Sequence, residues 1–412
     1  FDVNRAARTA TKTTTRTGIT QPQVEDLVNG LTVSVTDPAG LVTTTTYDAL
    51  LRPSTVTDSH GNTTTTTYYS GTRLVQTITN AAGNVTAFAY DTLGRTIWQR
   101  DAQNRYTRYS YNTRGQVIRQ WGDGTMPVEY GYDATYGDRI TMSTFRGGTG
   151  WDGSTWPASP GTPDTTTWTY NAGTGLLTTK TDALNRAVNF TYTAAGQPRT
   201  RTWSRGVTTT YNYDPATGDL VSQTYSDGTP TVTYTYGRRG QVESINDFTG
   251  FRDLVYDNKR VIAEVESDFY GSRVFTPLYD AAGRVRGYQL GATAGSSSDL
   301  EVNYGFMGNG RVETLASKRN ANASTRTFRY GYLANSALLQ SVAIDAGAGP
   351  GGHPFTITRA YEAQRDLITS LDSKWSATSR TGYAYAYDER SQRTSAVQSG
   401  DVGDQQRSTA DA

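Results

Sequence analysis

Tyr90-Asp91-Thr92-Leu93-Gly94-Arg95 returns 189 residues later as Tyr279-Asp280-Ala281-Ala282-Gly283-Arg284. Looser copies stand at Tyr47-Asp48, Tyr111-Asn112, Tyr192-Thr193, Tyr213-Asp214, Tyr236-Gly237, Tyr256-Asp257 and Tyr387-Asp388. The anchoring tyrosines keep step: Tyr47, Tyr68, Tyr90, Tyr111 and Tyr132 are 21, 22, 21 and 21 residues apart, and Tyr170, Tyr192, Tyr213, Tyr236, Tyr256 and Tyr279 follow at 22, 21, 23, 20 and 23. Chance matches do not hold phase over so many periods, and a fixed period of this size marks a stacked array of small units.

Within each period the residues before the tyrosine alternate large apolar with polar, as in Val188-Asn189-Phe190-Thr191-Tyr192 and Val232-Thr233-Tyr234-Thr235-Tyr236. A period of two is a strand, and threonine and tyrosine suit its pleated surface. The Asp-x-x-Gly that follows is a turn: Asp can bond its own backbone and Gly can take positive φ. A second turn falls midway, at Asp37-Pro38-Ala39-Gly40, Asp58-Ser59-His60-Gly61, Asn80-Ala81-Ala82-Gly83 and Asp182-Ala183-Leu184-Asn185. Each period is then two strands and two turns, and because a lone hairpin is marginal, neighbours must pair edge to edge into one all-β sheet.

Three stretches organise the chain. Residues 1–36 read as Thr-rich lead-in strands, 37–290 as the regular array, and 291–412 as a degenerate continuation anchored at Tyr304, Tyr332, Tyr361 and Tyr387. The one large break in the ladder, from Tyr132 to Tyr170, coincides with Gly147-Gly148-Thr149-Gly150-Trp151-Asp152-Gly153 and prolines 157, 160 and 163, which predicts an inserted loop near 147–165. A second Gly-rich loop is expected near 346–352.

These motifs resemble the RHS/YD-repeat family, found in bacterial polymorphic toxins, insecticidal toxin-complex shell proteins and the teneurins. The resemblance covers most of residues 37 to 290. It implies tandem hairpins in a continuous sheet that spirals into a hollow, barrel-like shell, with further repeats of the same longer protein as neighbours and often a passenger polypeptide inside. A chain that opens at Phe1 without methionine and enters directly into a Thr-rich stretch is expected to be a piece of such a protein.

Composition narrows the function. With 39 basic and 38 acidic residues the formal charge is +1, which leaves no electrostatic footprint for nucleic acid or an anionic membrane. No apolar run approaches the length of a membrane helix, so membrane insertion is not expected of this segment. Lysine occurs only at Lys12, Lys180, Lys259, Lys318 and Lys374; the remaining cations are arginines, suited to planar pairing and to stacking on rings. Arg95 and Arg284 are therefore expected to pair with Asp or lie on neighbouring tyrosines.

Candidate chemistry is sparse. Cysteine is absent, removing disulfides, thiolate nucleophiles and cysteine-ligated metals. The two histidines, His60 and His353, fall in a turn and a presumed loop. The acids Asp48, Asp91, Asp214, Asp257 and Asp280 recur at one turn position, whereas catalysis needs a unique constellation. Asp37-Pro38-Ala39-Gly40-Leu41 is similar to the self-cleaving end of the repeat region in toxin members of the family, but here it precedes the array at an ordinary half-turn position. No catalytic residue, cofactor or metal is assigned.

The structural anchors are Tyr47, Tyr90, Tyr111, Tyr192, Tyr213, Tyr236, Tyr256, Tyr279, Gly94, Arg95, Gly283 and Arg284. Trp151 and Trp156, in the insertion, either pack the loop on the sheet or face a ligand such as a surface glycan; Trp98, Trp121, Trp168, Trp203 and Trp375 are expected as core or inter-strand contacts. The expected function is a non-enzymatic, secreted or cell-surface shell or fibre segment that encloses or displays a passenger. An adhesive, glycan-binding surface and a self-processing or hydrolytic shell are the alternatives.

Overall fold

The computed structural model describes residues 2–4, 6–15, 21–257, 260–266, 273–293, 296–297, 299–320, 323–344 and 355–400. Thirty-four strands, from Asp2–Asn4 to Arg393–Ser399, form one antiparallel sheet in which each strand pairs with its neighbours in sequence, and the described residues contain no helix. The sheet does not close on itself: among the described residues Asp2–Asn4 pairs only with Thr9–Thr14, and Arg393–Ser399 only with Thr378–Tyr387.

The two faces differ in chemistry. On one, threonines meet across strands, and their hydroxyls pair at 2.6 Å for Thr46–Thr55, Thr67–Thr77 and Thr191–Thr200 and at 2.9 Å for Thr202–Thr208. On the other, register places Phe190 beside Arg201, Tyr234 beside Ile245 and Phe328 beside Ile344. Period-two alternation separates these sets, and cross-strand partners of like kind stabilise each face.

One irregularity recurs in every Tyr-ended hairpin. Thr191 pairs with Thr200 but Tyr192 pairs with Pro198, so Arg199 is an extra residue on the returning strand; Tyr47 with Pro53 and Tyr111 with Val117 repeat the slip. A bulge bends the strand and adds right-handed twist. Repeated at each period, it coils the sheet. Pro53 and Pro198 occupy the strand-opening position that proline tolerates.

A coiled single layer buries little. The accessible surface is 24698 Å², against about 15,700 Å² for a compact monomer of 44.9 kDa. Buried apolar residues are correspondingly few among the described residues, where Trp121, Phe145 and Trp151 form a cluster with Trp156 packed on it.

Two details depart from expectation. The inserted loop is tighter than 147–165, because Arg139–Arg146 and Thr162–Tyr170 pair right up to its base. Beyond residue 300 the ladder continues in strands of six to ten residues, and its anchor there is Phe306, which sits at the bulge, and not Tyr304. The Gly-rich loop near 346–352 and His353 lie outside the described residues.

Candidate functional site

At the turn 91–95, Asp91 N–H donates to the Arg95 carbonyl at 2.9 Å, and Gly94 N–H donates to the Asp91 carbonyl at 3.0 Å. Gly94 takes φ 76° and Gly283 φ 77°, a left-handed conformation that costs a residue with a Cβ. Asp91 Oδ1 accepts from the backbone N–H of Leu93 and Arg95, both at 2.9 Å, while Oδ2 accepts from Arg95 Nε at 2.7 Å. Asp48 with Arg52 and Asp280 with Arg284 repeat this arrangement. Every such carboxylate is committed to its own turn.

The arginine does two things at once. Its guanidinium, paired with its own Asp, lies over the next anchor ring: Arg52 over Tyr68 at 4.4 Å, Arg95 over Tyr111 at 4.6 Å and Arg284 over Phe306 at 4.6 Å. Arg95 Nη1 also donates to the carbonyl of Asn112 in the next turn at 3.3 Å. Turn is thereby stapled to turn along one edge of the sheet. A planar fork with several donors can bond and stack together; an ammonium cannot.

These contacts set the acidity of the turn. The Arg52 side chain holds the Asp48 carboxyl below its usual range, and at Asp91 the Arg95 backbone N–H is the larger cause. At Asp280 burial pushes upward, but the bonds from Arg284 outweigh it.

The anchor is tyrosine because its hydroxyl reaches back across the preceding hairpin. Tyr47, Tyr111, Tyr192, Tyr213, Tyr236 and Tyr256 donate to the carbonyls of Thr32, Thr96, Leu177, Pro198, Leu220 and Val242 at 2.6–2.8 Å. Tyr332, Tyr361 and Tyr387 do the same to Val312, Leu339 and Ile368 at 2.7–2.8 Å. Burial raises the pKa of the Tyr111 and Tyr213 phenols above the ordinary value of 10.0.

A second set of contacts joins periods far apart in sequence. Ser59 Oγ donates to the Asn309 carbonyl at 3.1 Å, Asn84 Nδ2 to the Ala363 carbonyl at 3.3 Å and Gln392 Nε2 to Met126 Sδ at 2.7 Å. Leu41 packs against Gly310, where an added Cβ would fall 2.5 Å from its Cδ1. Glu362 accepts from Gln103 and feels Arg105. In every case a half-turn of the early array meets a turn of the late array that follows an anchor ring, Phe306, Tyr361 or Tyr387, 21 to 23 strands away. The sheet is a spiral whose second coil rests, turn on turn, on the first.

The residues singled out for chemistry fall within this frame. His60 is half-buried at the coil junction, with Nδ1 3.3 Å from Asp58 Oδ2 and its N–H donating to Asp58 Oδ1 at 2.8 Å. Asp37 Oδ1 accepts from the N–H groups of Ala39 and Leu41 at 2.8 and 2.9 Å, the same bonding as at Asp48, Asp91 and Asp280. No group of three His, Asp or Glu residues among the described residues is gathered as a metal site.

The tryptophans redistribute. Trp151 is 4% exposed and Trp156 partly buried, their rings 5.1 Å apart and packed on Phe145, so the insertion folds onto the sheet and Trp151 is not a ligand-facing ring. Conversely Trp203 and Trp375 are 38% and 45% exposed, Trp203 in a half-turn under the Arg201 guanidinium and Trp375 at a strand end. The junction residues Leu41, Ser59, Asn84, Gln103 and Met126 carried no signal in the sequence, since each is a single contact between periods that share no local pattern.

A family model described as RHS Repeat matches residues 28–63, beginning inside the lead-in strands. No curated protein sequence matches the chain. Among solved structures, TcdB2-TccC3-TEV is 15% identical over 93% of this chain, with a TM-score of 0.42, and TcdB2-TccC3 without its hypervariable C-terminal region is 14% identical over 91%, with a TM-score of 0.40. A Photorhabdus luminescens Tc holotoxin pore is 14% identical over 92%, with a TM-score of 0.41. The chain spans only 26 to 27% of the length of those chains. It carries an RHS repeat at residues 28–63, and the periods that follow repeat one turn, one bulge and one anchored ring.

Proposed function

We propose that this chain is a non-catalytic wall segment of a large secreted or cell-surface RHS-repeat protein, enclosing a lumen that holds a passenger polypeptide. The observation that carries the reading is the coil junction, where Ser59 reaches Asn309, Asn84 reaches Ala363 and Gln392 reaches Met126. A ribbon that returns onto itself after 21 to 23 strands encloses space; at about 4.8 Å per strand its girth is about 105 Å and its width about 33 Å from backbone to backbone. That is wide enough for an extended or loosely folded chain. Its natural neighbours are further repeats of the same protein, which would extend the spiral through the same turn-on-turn contacts.

Catalysis has no part in this reading, because the turn acids are spent on backbone and arginine and recur as equivalent copies. The test is direct imaging of the purified chain by electron cryomicroscopy. A ring-shaped wall around low density supports the shell, and a flat ribbon or a solid particle overturns it. Fractionation of cells expressing the full-length protein tests the location: recovery solely from cytosol contradicts a secreted or surface role. The passenger is tested by limited proteolysis of the full-length protein, which should leave an internal segment protected only while the wall is intact.

A further inference from the structure

The sheet face that carries small polar residues elsewhere changes character across three neighbouring strands. Trp98 stands directly opposite Arg108, and Arg108 directly opposite Trp121, so a cation sits between two indoles in one cross-strand row. Tyr106 joins them, its ring 5.3 Å from Trp98 at 78° and 4.4 Å from the Arg108 guanidinium. Ser154 of the insertion lines one side of this row, and the partly open cleft there measures about 370 Å³. Nothing in the repeat requires such a row. The same face is a threonine ladder in the preceding periods.

The electrostatics of the row are incomplete. Arg119, the neighbouring cation, is paired with Glu129 at 2.7 Å. Arg108 Nη1 is buried and has no hydrogen-bond partner among the described residues, and the Ser110 hydroxyl beside it is likewise unmatched. A buried donor without an acceptor costs free energy that an incoming anion would recover. A cavity of this size, walled by rings with a few polar groups, has the make-up of a small-ligand site.

We propose that this cavity binds one pyranose ring bearing a carboxylate, an acidic sugar residue of a glycan. The carboxylate meets Arg108, a hydroxyl meets Ser154, and the C–H face of the chair lies on Trp98 or Tyr106. The near-perpendicular rings favour a chair over a flat aromatic acid, because they form a corner and not the parallel slot that a planar ring fills. The site does not depend on whether the wall encloses a passenger.

Titration of the whole chain with D-glucuronate, followed by saturation-transfer NMR and tryptophan fluorescence, tests it. Saturable binding in the millimolar range is expected, with D-glucose about tenfold weaker for want of the charge-assisted bond. Benzoate is expected to bind more weakly than glucuronate. In Arg108→Gln, with the strand spectrum unchanged by circular dichroism, glucuronate and glucose should bind alike; Ser154→Ala, on the loop and outside the sheet, should weaken both sugars. The proposal is overturned if the wild-type chain shows no saturable response, if glucose matches glucuronate, or if benzoate binds as well as glucuronate. These wild-type comparisons decide the matter even if Arg108→Gln fails to fold.

Discussion

Removing one anchor ring should loosen one period and leave its distant neighbours intact. Tyr192 is half-buried, with its hydroxyl 2.8 Å from the Leu177 carbonyl across the preceding hairpin. Tyr192→Phe deletes that bond and should cost about 1 kcal/mol. Tyr192→Ala also removes the ring; full burial of an aromatic would put the loss at about 3–5 kcal/mol, and half-burial brings it to about 2–3. Thr191, one residue earlier on the opposite face, is exposed and bonds only the Thr200 hydroxyl at 2.6 Å, so Thr191→Ala should cost about 0.5 kcal/mol. Stability in an array is a sum of units and nearest-neighbour terms, so the loss should be local. Hydrogen exchange by mass spectrometry reads this. Peptides from 177–202 should exchange about fivefold faster in Tyr192→Phe and more than tenfold faster in Tyr192→Ala, while 42–68 stays unchanged. If Thr191→Ala loosens the segment as much as Tyr192→Ala, the faces are assigned wrongly; if 42–68 loosens equally, the nearest-neighbour picture fails.

Arg95→Lys should destabilise by about 1 kcal/mol, since an ammonium cannot keep the Asp91 bonds while lying on Tyr111, and an unchanged denaturation midpoint would refute the staple. Leu41→Asp should open the coil junction alone, raising exchange at turn 307–310 with its flanking strands still protected; coincident loss of those strands would show that the coils do not separate as units. Acid should weaken the turns. The carboxyls of Asp48, Asp91, Asp214 and Asp280 are lowered in the fold from 3.8, so their contribution is complete above that value and is lost as pH falls below it through the folded values. A melting temperature that stays flat from pH 6 to about pH 2.5 would contradict this. Alkali acts on the anchors with the opposite sign: phenols raised above 10.0, as at Tyr111 and Tyr213, lend stability below pH 10 that is lost as pH climbs through the folded values, so absorbance at about 295 nm should report their ionisation together with unfolding.

The strand, the turn and their repetition were legible in the residues alone. Tyr-Asp-x-x-Gly-Arg is a local code: alternation sets the pleat, Asp closes the turn through bonds two and four residues on, and Gly94 or Gly283 supplies positive φ, all within six residues. The Arg95 and Arg284 pairings were legible for the same reason. Everything that depends on curvature was settled by the folded chain. The tyrosine hydroxyl finds a carbonyl about fifteen residues back, the bulge turns a flat ladder into a coil, and the coil brings Ser59 to Asn309 and Asn84 to Ala363 across 250 and 279 residues. Small twists add along many strands, so the meeting point is a property of their sum, and no single residue carries it. The fate of the tryptophans was hidden likewise: Trp151 is buried because the insertion folds onto Trp121 and Phe145, while Trp203 is left outside because a single-layer sheet has no second layer to cover it.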